Sequence, residues 1–205
     1  MKAGRFISFE GGEGSGKSTQ SRLLAETLKK AGQTVVLTRE PGGTEGAEAV
    51  RVLLVTGDPA RWSPWAEVCL VNAARADHVE RIIRPALLRG DWVICDRFVD
   101  STRAYQGAGK GIADTELCAL HRQVTGDLWP DLTIVMTIGV EAGLRRAGAR
   151  HDAEGRFEAH PSDFHTRIAA FFAALPGAEP GRCHGFDAEQ PVAVLAAAIA
   201  ALVQR

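Results

Sequence analysis

Closely spaced cysteine pairs are missing from this 205-residue chain: Cys69, Cys95, Cys118 and Cys183 are scattered, with no CxxC among them. That excludes a zinc knuckle or a disulfide framework and predicts reduced, mostly buried thiols. Histidine pairs are missing too. His160 and His165 lie five apart and His151 stands alone, so none has the spacing of a zinc-ligating helix or finger. There is no excess of either charge: 24 Lys and Arg face 25 Asp and Glu, a formal net charge of −1. A broad basic surface for nucleic acid is thereby excluded, and any phosphate binding must be local. No run approaches the roughly 20 apolar residues of a membrane span, and the N-terminal segment reads as a strand rather than a signal peptide. The expectation is a cytoplasmic protein with no membrane partner. What is present is a 45% hydrophobic composition, enough for a core, at a length that suits one domain over residues 1–205.

Against that background one motif stands out. Gly11, Gly12, Glu13, Gly14, Ser15, Gly16, Lys17 and Ser18 fit GxxxxGK[ST], with Thr19 directly after. An apolar strand at 5–9 precedes the run, and residues 18–31 follow with helical spacing through Leu23, Leu24, Leu28 and Ala31. In that context the glycines turn backbone N–H groups onto phosphate and the helix N-terminus adds its positive end. Lys17 reaches the β/γ oxygens, and the Ser18 hydroxyl can ligate Mg²⁺. Gly11 to Thr19 is therefore the candidate ATP site.

The rest of the chain alternates. Strand patterns at 34–38, 92–95, 132–138 and 183–187 are separated by helical patterns at 45–55, 64–89, 164–174 and 191–203. Such alternation predicts an α/β fold: a parallel five-stranded sheet between two helix layers. Residues 145–158 are rich in charge and poor in large apolar side chains, which marks a small lid at about 145–160. Gly107 to Gly111 superficially resembles a second phosphate loop but lacks a preceding strand and a terminal Ser or Thr, and reads as a flexible turn.

Carboxylates at the C-terminal edge of a parallel sheet face the same crevice as the phosphate loop. Asp96 ends the third strand there, suited to a Mg²⁺ ligand or to accepting from the attacking group. Arg97 follows it, and Arg39 ends the second strand. Paired arginines hold a phosphate bidentately, so a cradle for one phosphate chain and two arginines for another imply phosphoryl transfer between nucleotides. For each of these residues alone a surface salt bridge is the bland alternative.

Several segments together resemble the bacterial thymidylate kinase family, in its order and spacing: 9–20 with the phosphate loop, Thr38-Arg39-Glu40-Pro41-Gly42-Gly43-Thr44, Asn72-Ala73-Ala74-Arg75, and 96–107 with Ala104-Tyr105-Gln106-Gly107. The resemblance implies a P-loop NTPase-type three-layer sandwich and ATP-dependent conversion of dTMP to dTDP. It further implies that Glu13 lies near the deoxyribose 3′-hydroxyl, that Arg39 and Arg97 hold the 5′-phosphate, and that Arg75 bonds thymine O4 with Thr102 at the N3 edge. Tyr105 then packs where a ribose 2′-hydroxyl would go, and Ser101 and Gln106 belong to the same dTMP site. The phosphate loop resembles the family form without an arginine at Gly14, which places catalytic cations in the lid: Arg156, in an Arg-Phe-Glu stretch, and Arg150. Relatives form homodimers through a helix like that at 64–89, so a dimer is expected.

Two positions depart from the family. An aromatic ring usually stands four residues before the base-reading arginine, and this chain has Val71; stacking on thymine must be reduced or supplied by another side chain. Thr137 replaces a common aspartate. Other classes fare worse: a GTPase switch needs NKxD, which is absent, and a non-catalytic nucleotide-binding module has no need of Arg39, Arg97 and a basic lid. A kinase for another nucleoside monophosphate shares the cradle but not the Arg-Glu-Pro-Gly-Gly and Ala-Tyr-Gln-Gly stretches.

Overall fold

The computed structural model describes residues 4–149 and 155–204. Strands β1 (Phe6–Gly11), β2 (Val35–Arg39), β3 (Trp92–Asp96), β4 (Leu132–Thr137) and β5 (Cys183–Asp187) form one sheet in the order β2-β3-β1-β4-β5. Every pairing is parallel. β1 sits in the middle and is buried along its whole length, as a strand covered on both faces must be. Its side chains alternate between the layers. Ile7 and Phe9 join Leu24, Leu28, Leu195 and Ile199 from α1 (Lys17–Lys30) and α9 (Val192–Val203), whereas Phe6 meets Phe98, Val79 and Ile83 on the other face.

The other face is covered by α4 (Arg84–Arg89) against β3 and by α8 (Ser162–Ala178) against β4 and β5, with α3 (Pro64–His78) leading toward α4 and α2 (Glu45–Val55) packed on α3. The continuous helix expected at 64–89 exists, with a π turn at Val79–Ile83 inside it, where the Arg84 N–H reaches back five residues to the Val79 carbonyl. Pro85 supplies the reason: it has no N–H for the carbonyl four residues before it, and the wider turn absorbs the gap. A second π turn, Arg103–Ala108, continues α5 (Val99–Thr102). Gly107 and Ala108 thus belong to a helical turn, and Lys110 beyond them is tied to Glu67 at 2.9 Å. Helix α6 (Asp114–Thr125) is an element the sequence pattern did not announce, because its buried positions are few: Leu117, His121 and Thr125. α7 (Val140–Gly148) takes in the first part of the expected lid, and α8 (Ser162–Ala178) outruns the helix expected at 164–174. What remains of the lid among the described residues is the turn region 155–160.

Candidate active site

The C-terminal ends of β1, β3 and β2 open onto one crevice of about 440 Å³. Parallel register puts Phe9 and Arg39 both opposite Asp96, so the phosphate loop, Asp96 and Arg39 meet at one edge. A larger cavity, about 510 Å³, lies across the phosphate loop between α7 and α8, but its lining is mostly apolar and, among the described residues, holds no lysine or arginine.

Glycine is required twice in the loop. Gly11 has φ 143°, and a Cβ there would sit 2.2 Å from the Met136 carbonyl oxygen. Gly14 has φ 65°, and its Cβ would sit 2.1 Å from the Gly143 carbonyl oxygen. A side chain at position 14 has no room beside α7, in keeping with a loop that carries no arginine there. The Lys17 ammonium donates to the Gly12 carbonyl at 2.7 Å and to Ser15 Oγ at 3.1 Å. Burial, helped by Arg97, lowers its pKa to about 8. The Ser18 hydroxyl donates to Asp96 Oδ2. Glu13, Gly14, Ser15, Gly16 and Thr19 line the same crevice, whereas Gly12 faces the neighbouring apolar cavity.

Arg97 is the centre of the acceptor side. Its backbone is left-handed, φ 70°, which for a side chain with a Cβ costs on the order of 1–3 kcal/mol and persists only where the surroundings enforce it. They do: its N–H bonds to the Phe9 carbonyl, and the following N–H, of Phe98, donates to Glu10 Oε1 at 2.7 Å. Its guanidinium donates to the Gly11 carbonyl, to Ser101 Oγ at 3.2 Å and to Glu13 Oε1 at 3.0 Å. Tyr105 offers its ring 5.0 Å from the guanidinium carbon and donates its hydroxyl to Glu13 Oε1 at 2.5 Å. Burial works against the charge of Arg97, but Tyr105, Glu13, Asp96 and Glu10 outweigh it, so the guanidinium holds its proton beyond the ordinary arginine range.

Glu10, at the end of β1, carries a role that motif spacing did not reveal. Fully buried, it accepts from Phe98 N and, at 2.6 Å, from Ser101 Oγ. Burial, with Asp100 nearby, pushes its carboxyl up to about 8. A carboxyl shifted in this direction competes less for the charge of Arg97 and leaves more of it for a ligand. The one signal in the sequence was a lone charged residue closing an apolar strand.

On α3, Arg75 is 1% exposed. Its Nε donates to Glu40 at 2.8 Å, and its Nη2 donates to the Phe98 carbonyl and to Thr102 Oγ1. Burial alone would raise Glu40, but Arg75 and His78 hold it below the usual carboxylate range. Nη1 of Arg75 is buried and has no partner among the described residues. Arg39 is half exposed and paired with Glu48 at 3.1 Å. Ser101, Thr102, Gln106 and Val71 line the crevice, with Arg51, Pro41 and Phe157 as further walls. Arg51 escaped notice because a single arginine on a helix face has no motif.

Arg156 is placed differently from the expectation of a lid cation over the phosphates. It is fully buried, pairs with Glu67 at 2.5 Å and donates to the Leu54, Asp58 and Pro59 carbonyls. It does not line the crevice. The reason is the C-terminus of α2, whose last carbonyls have no helical partners and take a guanidinium readily. Arg150 lies outside the described residues. Of the basic residues at the end of α7, Arg145 is exposed and Arg146 donates to the Ala188 carbonyl at 3.0 Å. Thr137 donates to the Phe186 carbonyl at 3.2 Å.

A family model described as thymidylate kinase matches residues 9–199. Among curated proteins, the thymidylate kinase of Caulobacter vibrioides is 52% identical over 203 residues, covering 99% of this chain and 97% of that protein. That of Dinoroseobacter shibae is 51% identical over 198 residues, with 97% and 95% covered. Among solved structures, thymidylate kinase from Ehrlichia chaffeensis superposes with a TM-score of 0.75 at 37% identity, covering 90% of this chain and 93% of that one.

Proposed function

Because the chain belongs to the thymidylate kinase family, and so is a phosphotransferase converting dTMP to dTDP with ATP, we propose that both nucleotides meet in this crevice, each held by its own set of side chains. The phosphate loop from Gly11 to Thr19 takes the ATP phosphates. Arg97 and Arg39 take the dTMP phosphate, Arg39 by exchanging Glu48 for the ligand. An acceptor oxygen of dTMP then forms the new P–O bond in line with the departing ADP, and the protein contributes position and charge. Lys17 neutralises the β/γ oxygens. Ser18 and Asp96 would hold Mg²⁺; their donor set, one hydroxyl and one carboxylate beside a phosphate cradle, suits an ion that keeps substrate oxygens and waters in its shell. When bound, Mg²⁺ screens the β/γ charge. Glu13 and Tyr105 border the sugar, where the buried ring leaves little room for a 2′-hydroxyl.

The observation that carries the base assignment is Arg75 Nη1: a buried donor without a partner in a residue otherwise locked by three bonds. Thymine O4 accepts from it, whereas cytosine presents a donor and leaves both groups unsatisfied at a cost of about 1–3 kcal/mol. Four free thiols fit a reducing, cytoplasmic setting. The outward face of α3 presents Trp65, Cys69 and Ala73, all exposed, and this apolar stripe supports a symmetric homodimer.

Product analysis with ATP, Mg²⁺ and each nucleoside monophosphate in turn tests the reading. The expected outcome is dTDP as the dominant product and a loss of turnover of about 10² to 10³ in Lys17→Ala, as for removal of one preorganised electrostatic group. Near-normal turnover in a folded Lys17→Ala protein, or faster phosphorylation of another monophosphate, would overturn it.

A further inference from the structure

Glu67, Val71 and Arg75 follow one another on α3 at intervals of four residues, so they share one face, about 6 Å apart along the axis. Glu67 is fully buried and receives three donors: Gln106 Nε2 at 2.8 Å, Lys110 at 2.9 Å and Arg156 at 2.5 Å. Arg75 ends the row with its partnerless Nη1. Between them stands Val71, which offers no ring to a base.

The anchorage of Arg156 decides where its neighbour goes. Besides Glu67 and the carbonyls of Leu54 in α2 and of Asp58 and Pro59 just beyond it, the backbone N–H of Arg156 donates to the Val55 carbonyl at 3.2 Å. Both the main chain and the side chain are held, and Phe157 is thereby delivered into the crevice that Val71, Arg75 and Tyr105 line. Its ring meets Tyr105 edge to face at 5.5 Å, with the Arg156 guanidinium 5.2 Å from its centroid. It is partly buried, packed against the cluster of Tyr105 and Phe164.

We propose that Phe157 is the aromatic wall of the thymine pocket, a specificity-determining residue that supplies from the lid the ring missing at Val71, and that the Arg156–Glu67 pair positions it. This rests on the reading that dTMP occupies the crevice. Base recognition and lid docking thereby become one event, since the ring reaches the base only while Arg156 is seated on Glu67.

Calorimetric titration of dTMP into the full-length protein tests the assignment. Phe157→Ala should weaken dTMP two- to tenfold, the range a single aromatic contact spans, while Phe157→Tyr retains affinity. Val71→Phe should not tighten binding in the wild-type background, where the ring would be crowded. In the Phe157→Ala background it should recover the lost affinity. Unchanged affinity in Phe157→Ala, or equal tightening by Val71→Phe in both backgrounds, would overturn the proposal. Arg39→Ala, at a half-exposed position that tolerates truncation, separates the premise from the inference. If it too leaves dTMP affinity unchanged, the crevice reading fails; if it weakens dTMP and Phe157→Ala does not, only the role of Phe157 fails.

Discussion

Arg97 is held by groups that sequence spacing does not connect. Glu10 lies 87 residues before it, yet bonds the next backbone N–H and, through Ser101, its guanidinium. The raised pKa of Glu10 has a consequence for stability. In the unfolded chain the carboxyl loses its proton near 4.5, whereas in the folded protein it keeps it to about 8. Its contribution is therefore fully present below about pH 4.5 and is lost progressively as pH rises to about 8. Glu10→Gln, neutral at every pH and of the same shape, should remove that dependence. Urea denaturation at pH 5 and pH 8 is the check: relative to wild type, the variant should gain stability between the two, by about 1 kcal/mol or more. A difference between the two proteins that is the same at both pH values would mean that Glu10 is already ionised at pH 5. Arg97 and Asp96 themselves were legible because they stand at strand ends beside a phosphate loop; Glu10 was not, because a single acidic residue after an apolar strand has many ordinary explanations.

At the scale of elements, α3 connects the functions of the molecule. Its inner face carries Glu67, Val71 and Arg75, and its first turn is set by Ser63, which caps Ala66, with Pro64 at the N-terminus. The segment 155–160 docks on this helix and on the end of α2 through Arg156. Arg156→Ala should cost about 1.5–3 kcal/mol of stability, the range for hydrogen bonds to a charged group, because Lys110 and Gln106 continue to compensate Glu67. If the docked position of Arg156 is the working one, KM for dTMP should rise several-fold and kcat should fall by less than tenfold. Steady-state kinetics of the variant distinguish this from the role expected of a phosphate-directed lid cation, for which kcat would fall by roughly 10³ or more with dTMP binding unchanged. The stretch 145–158 was recognisable as rich in charge and poor in large apolar side chains. Where its arginine points was not, since that depends on the carbonyls left over at the end of α2.

For the whole molecule, the apolar stripe of Trp65, Cys69 and Ala73 faces away from the sheet, on the same helix whose opposite face builds the crevice. Sedimentation equilibrium should give twice the chain mass of 21.9 kDa. Cys69→Arg, which places a charge in the middle of the stripe at an exposed position, should reduce it to the monomer without unfolding. An unchanged dimer mass in that variant would assign the contact to another face.

Local pattern alone determined the sheet, the phosphate loop and the line of Asp96, Arg97 and Arg39 at its edge. Apolar periodicity and glycine position act over a few residues, and parallel βα units admit one crevice at the strand ends. Only the tertiary structure decided the commitment of Arg156 to Glu67, the raised pKa of Glu10 beneath Arg97 and the unpaired Nη1 of Arg75 among the described residues. Each of these depends on burial and on partners tens of residues away along the chain, and it is the removal of water, which no short stretch of sequence specifies, that turns an arginine into an anchor and raises the pKa of a carboxyl.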